Sequence, residues 1–178
     1  MLTTAGQQKG LNMTYQVLKP EAQDQTHDTG IGKNTWIANA VTEVLADSML
    51  LMVKTQGCHW NVVGPLFLPI HELTERQYRD LFEAVDDLAE RIRALGHVAP
   101  ISFTDMISQA TLAEEETVKD AHGMIKQLIA DNETIVRNLR ETAALASRHG
   151  DGATEDLMNA RMVKHEEAVW MLKAVVAS

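Results

Sequence analysis

Five side chains suited to hard or borderline metal ions stand between positions 59 and 90: His59, His71, Glu75, Asp86 and Glu90. Imidazole and carboxylate together form the ligand set of an open transition-metal site. The last four share one expected helix. At about 100° per residue they fall near 0°, 40°, 60° and 100°, within one stripe. His71 and Asp86 are nonetheless about 22 Å apart along the axis at 1.5 Å per residue. One copy of the helix cannot close a site with both. Two antiparallel copies can, because a two-fold axis near residues 79–80 sets His71 of one chain beside Asp86 and Glu90 of the other. The spacing points to a metal site built between subunits, two per dimer.

The elements that must position these residues are helices. Residues 1–33 carry Gly6, Gly10, Pro20, Gly30 and Gly32 with little periodicity and read as a flexible arm. A single bundle domain is expected over 34–178. Its first helix opens at Asn34 or Thr35, both good caps, and runs through Trp36, Ile37, Val41, Val44, Leu45, Met49 and Met52 to residues 57–60. Gly64 and Pro65 mark a turn. The second helix runs from residues 68–69 to Gly96, a C′ glycine. A crossover follows, with a short helix over 105–109 capped by Thr104. The third helix is expected from about 114 to 147, with Val118, Ile125, Leu128, Ile135, Val136 and Leu139 inward. Gly150 and Gly152 break the chain, and Thr154 caps the fourth, with Glu155 and Asp156 in its first turn and Leu157, Val163, Val169, Leu172 and Val176 on its apolar side. The pattern predicts an all-α, ferritin-like four-helix bundle with one long crossover and a short extra helix inside it.

Composition narrows the function classes. The 178 residues suit one domain, and 45% hydrophobic residues suffice for a core. A net charge of −9 argues against a surface that coats nucleic acid uniformly and favours a protein that attracts cations. No leader segment is expected, since the first 30 residues lack a basic start followed by an apolar run, and no membrane span is expected either. Cys58 is the single cysteine, so an intrachain disulfide is impossible and a reducing cytoplasm is the expected setting, with the nucleoid as the alternative. Its neighbour His59 suggests a thiolate ligand; a buried small apolar residue is the reading favoured here.

Two other metal chemistries fail on spacing. Glu-x-x-His, the repeated unit of di-iron sites inside a single bundle, does not occur. His71-Glu72 starts a zinc-protease signature that Glu75 breaks. For the Asp86/Glu90 pair the competing reading is a solvated helix face. Like charges at that spacing repel, and Arg91 and Arg93 point elsewhere on the helix, so the pair calls for a cation.

The stretches His59-Trp60-Asn61-Val62-Val63-Gly64-Pro65-Leu66-Phe67, His71-Glu72, Asp86-Asp87-Leu88-Ala89-Glu90-Arg91 and Leu95-Gly96 resemble the DNA-binding proteins from starved cells (Dps), or mini-ferritins. The similarity extends over residues 35–176 to Trp170. It implies a hollow homododecamer with ferroxidase sites at two-fold interfaces, with His59 and His71 from one subunit and Asp86 and Glu90 from its partner. Glu75 stands where the family has Asp, as ligand to a second, weaker metal. Trp60 matches an aromatic beside the site, an electron donor or a packing residue. The implied reaction oxidises Fe(II) with hydrogen peroxide, or dioxygen, and stores ferric mineral, protecting against oxidative stress; zinc or manganese are alternative resting metals. Acidic pores at three-fold axes correspond to Asp151 and Asp156, with Glu155 adding charge. Nucleoid DNA binding through a lysine-rich arm is the alternative role. Here Lys9, Lys19 and Lys33 are balanced by Glu21, Asp24 and Asp28, which disfavours it.

Overall fold

A computed structural model describes residues 29–114, 117 and 119–177. The described residues form five helices in the order α1 (Thr35–Asn61), α2 (Phe67–Ala94), α3 (Phe103–Gln109), α4 (Ala121–Arg148) and α5 (Gly152–Val175). Four long helices make the bundle, and α3 lies inside the crossover between α2 and α4, as the periodicity predicts. Packing is heaviest between α1 and α2 and between α4 and α5; α1 also lies along α4, whereas α2 and α5 touch thinly.

Short turns set the two hairpins. Residues 62–66 reverse the chain after α1, with Gly64 at φ 97°, a conformation that costs a residue with a Cβ far more. The helix starts follow from local chemistry. The Asn34 side chain accepts from the amides of Trp36 and Ile37, satisfying two of the orphan donors of α1. α3 is capped by Ser102, whose hydroxyl accepts from the Asp105 amide, and not by Thr104, which lies one residue inside the helix. α4 begins at Ala121, later than expected, because Asp120 caps it through the Gly123 amide. The expected inward position Val118 falls outside the described residues.

The start of α5 also differs from expectation. Its cap is Asp151, which accepts from the Thr154 amide at 3.0 Å and the Thr154 hydroxyl at 2.6 Å. Thr154 is therefore a donor within the first turn and not the cap. Asp151 is itself buried and paired with Arg91 of α2 at 2.7 Å. Burial pushes its carboxyl up, but the hydrogen bonds from Thr154 and Arg91 outweigh this and hold it below the ordinary value.

The core runs through Ile37, Val41 and Leu45 of α1, Ile70, Leu88 and Ile92 of α2, Ile135 and Leu139 of α4, and Met158 and Leu172 of α5. α1 is long and apolar enough to cross a membrane by composition, against the expectation of no such segment, but half of that window is buried inside the bundle. Trp36 and Val163, grouped with the apolar stripes in sequence, are exposed. The buried stripe of α5 is Thr154, Met158, Arg161, His165, Ala168 and Leu172, spaced three or four residues apart; an apolar-only reading misses it because two members are cationic or titratable. Ile31, assigned to the arm, packs against the core.

Buried Asp47 ties the crossover to α1. Its two oxygens accept from the Thr111 amide and hydroxyl, the Leu112 amide and the Asn138 side chain. Lys54 and Asp131 form a second buried link, between α1 and α4, at 2.6 Å.

Candidate metal centre

The α1–α2 turn brings the last turn of α1 against the first turns of α2, which places His59 beside His71. Their rings stack with centroids 3.7 Å apart and planes 16° from parallel. Each ring reaches the other residue's backbone: His59 Nδ1 lies 2.8 Å from the His71 carbonyl oxygen, and His71 Nδ1 lies 2.9 Å from the His59 carbonyl oxygen. A carbonyl only accepts, so each Nδ1 carries a proton and donates. In the neutral ring this tautomer leaves the lone pair on Nε2, the form that binds a metal. The His59 carbonyl is one of the orphan acceptors at a helix C-terminus, so the same bond finishes α1 and orients a ligand. The Thr74 hydroxyl donates to the Ile70 carbonyl at 2.7 Å and lies 3.2 Å from the His71 carbonyl.

Three neighbours complete this end of the site. Phe67 stacks on His71 with centroids 5.0 Å apart. Tyr78 stands edge-on to His59 at 5.3 Å. Tyr78 was not predicted, although its spacing of seven from His71 puts both on one helix face. Trp60 points away from the core and is 68% exposed, which removes packing within the subunit as its role. Glu75 sits within the field of both imidazoles and is held by Arg79, whose Nη2 donates at 2.6 Å. That hydrogen bond, then the Arg79 charge, keeps the Glu75 carboxyl below its ordinary value.

Asp86 and Glu90 are exposed about three and four turns beyond Glu75 along α2. Among the described residues neither makes an ion pair or a side-chain hydrogen bond. Arg91, adjacent in sequence, is committed to Asp151 and Thr154. Within one chain no three His, Cys, Asp or Glu side chains among the described residues gather as a metal site. The structure thus brings His59 and His71 together, leaves Glu75 one turn along α2 and tied to Arg79, and leaves Asp86 and Glu90 apart. Cys58 is buried, and burial pushes its thiol up to about 11, so it does not supply a thiolate.

At the start of α5, Asp151 is enclosed by its two partners. Glu155 is half-buried and Asp156 exposed, and of the three only these two have unclaimed carboxylates.

Residues 38–178 match the family model described as a ferritin-like domain. The chain is 32% identical to the "DNA protection during starvation protein" of Helicobacter pylori over 74% of this chain and 92% of that one. The chain belongs to the Dps family of ferritin-like proteins. It is also 39% identical, over 79% of each chain, to an uncharacterized low temperature-induced protein of a Nostoc strain. Among solved structures, Dps from Thermosynechococcus elongatus superposes with a TM-score of 0.78 at 27% identity, covering 80% of this chain and 91% of that one. The Dps of Vibrio cholerae, described as a member of a broad superfamily of ferritin-like diiron-carboxylate proteins, gives 0.76 at 31% identity, covering 80% and 89%.

Proposed function

We propose that this protein is a ferroxidase and iron store whose sites form only between two subunits. The observation that carries the reading is the split ligand set. Two imidazoles whose Nδ1 atoms are engaged by backbone carbonyls lie at one end of the α2 stripe, and two exposed carboxylates without cationic partners among the described residues lie at the other. An antiparallel pairing about residues 79–80 closes both halves at once, with Asp86 and Glu90 supplied by the partner subunit. The donor chemistry suits Fe(II), the substrate here.

In this reading, His59 and His71 with the two carboxylates hold one Fe(II). Glu75 offers a second position, where a cation must displace Arg79 from the carboxylate. Two Fe(II) ions give up two electrons, and hydrogen peroxide with two protons leaves as two waters, so no one-electron oxygen radical is released. Trp60 and Tyr78 are the aromatic side chains placed to supply a further electron. The ferric product is stored in the cavity of a closed homododecamer. Cations reach it past Glu155 and Asp156, with Asp151 bracing the helix that carries them. Zinc and manganese compete for the same ligands. The names of the relatives speak of DNA protection; in this chain the acidic body and the balanced charges of residues 1–33 make iron chemistry the better supported route to that end.

The test is complementation. Asp86→Ala/Glu90→Ala and His59→Ala/His71→Ala should each lose peroxide-driven Fe(II) oxidation by about 100-fold or more, given that ligand-supporting groups alone are worth 10–100-fold. Hybrid dimers containing one subunit of each should regain one intact site and roughly half the activity per dimer. Verified hybrids that stay inactive would refute the intersubunit arrangement.

A further inference from the structure

A second polar constellation lies between α2 and α5, apart from the metal-binding face. A cavity of about 280 Å³ opens where these helices are thinly packed, and Gln77, Asp80, Asn132, Arg161 and His165 line it. That space exceeds one water several-fold, since water occupies about 30 Å³ in the liquid. His165 is only 3% exposed. Its Nδ1 lies 2.8 Å from Asn132 Oδ1. The amide orientation is fixed, because Asn132 Nδ2 donates to the Leu128 carbonyl at 2.7 Å. His165 Nδ1 therefore donates and Nε2 keeps a lone pair, which has no partner among the described residues.

Two donors on residues that line the same cavity are also unclaimed among the described residues. Arg161 gives one Nη to Asp80 at 2.7 Å but leaves Nε–H buried and unpaired, and Gln77 Nε2 has no acceptor. Three unsatisfied, shielded polar atoms on residues that line one cavity are costly unless a bound group reaches them. The pattern of need is specific: two donors seek oxygen lone pairs, and one acceptor seeks an O–H. The charges that face the cavity are Arg76 and Asp80 of α2 and Arg161, Lys164 and Glu167 of α5, a net of one positive. A metal cation is disfavoured by the guanidinium. Burial, then the Arg161 charge, holds the His165 imidazole down to about 3 against the opposing pull of Asp80, so it remains an acceptor at neutral pH.

We propose that this cavity binds a small oxyanion that retains an O–H, hydrogen phosphate being the simplest. Its oxygens accept from Arg161 Nε and Gln77 Nε2, and its hydroxyl donates to His165 Nε2. Bound there, it bridges α2 to α5 and stabilises the subunit in proportion to its concentration. Sulfate discriminates between this and general anion attraction, because at neutral pH it has equal charge but no proton to offer.

The experiment is calorimetric titration of the iron-free assembled protein with inorganic phosphate and, separately, with sulfate. One saturable phosphate per subunit is expected, with sulfate weaker by roughly 10-fold or more, the worth of a hydrogen bond lost against a charged ligand. Gln77→Met should weaken phosphate by a similar factor. Absence of saturable phosphate binding, equal affinity for sulfate, or unchanged binding by Gln77→Met would each overturn the proposal. Should Gln77→Met fail to assemble, crystals of the unmodified protein grown with phosphate decide: tetrahedral density within hydrogen-bonding reach of His165 Nε2 supports the site, and ordered water alone there overturns it.

Discussion

Asp47 and the Asp86/Glu90 pair are carboxylates on neighbouring helices with opposite circumstances. Asp47 is fully buried and receives four hydrogen bonds, from Thr111, Leu112 and Asn138. Asp86 and Glu90 stand in solvent with none from the described residues. Both are acidic residues on long helices, and residue type alone does not separate them. A carboxylate that holds the fold has its donors supplied by the same chain. A carboxylate left bare beside a second bare one is completed by something the chain does not contain. Asp151 and Asp156 repeat the contrast at the start of α5, five residues apart.

The comparison can be broken by deleting either kind of group. Asp47→Ala should give the largest effect, a loss of about 3 kcal/mol or more in unfolding free energy, because two backbone amides and the Asn138 amide lose their acceptor at roughly 1–3 kcal/mol each. Asp86→Ala/Glu90→Ala should leave the denaturant midpoint at its parent value while abolishing oxidation. If Asp47→Ala proves neutral in chemical denaturation, burial and saturation do not mark a structural carboxylate here.

His165 sharpens the contrast from the side of a base. Its folded value of about 3 lies below the ordinary 6.5. As pH falls below 6.5 the unfolded chain binds a proton that the folded chain refuses. Stability contributed by the neutral ring is therefore complete above 6.5 and declines toward pH 3, by up to about 1.4 kcal/mol per pH unit for this one group. Denaturation midpoints measured over that window should show a steeper slope for the natural protein than for His165→Gln. Parallel slopes would exclude His165 as the acid-sensitive group.

The smallest effect belongs to the start of α5. Glu155→Gln/Asp156→Gln should slow iron uptake several-fold at low salt, through weaker attraction of cations, and the difference should shrink as ionic strength rises. Asp151→Ala is by contrast a structural change and should lower stability by about 3 kcal/mol or more, because the Thr154 amide and hydroxyl and Arg91 lose their acceptor. Stopped-flow uptake at limiting Fe(II) checks the Gln pair and thermal denaturation checks Asp151→Ala; equal uptake rates for the parent and the Gln pair would remove Glu155 and Asp156 from the route.

The helical order, the crossover and the shared face of His71, Glu75, Asp86 and Glu90 were legible in the sequence because periodicity is local. The stripe on α5 was not, since Arg161 and His165 occupy core positions that apolar counting skips. Asp47 looked like an interruption of an apolar run; its meaning depends on donors more than 60 positions away, which no window contains. The start of α4 was read too early because the residues before Ala121 also carry helix-formers, and only the Asp120 cap fixes the boundary. The exchange of hydrogen bonds between the histidines was invisible for a similar reason: their spacing of 12 suggested ligands, but only the turn geometry shows which nitrogen is free.

The absence of a three-ligand cluster among the described residues of one chain has a consequence for the life of the protein in time. On the intersubunit reading, a chain fresh from synthesis carries only half of each site and is chemically silent toward iron. Activity then appears as a second-order event, rising with the square of subunit concentration until pairing saturates. Oxidation begins only where a partner, and hence the start of a container, is already present, so ferric ions are not generated on solitary chains that have nowhere to keep them.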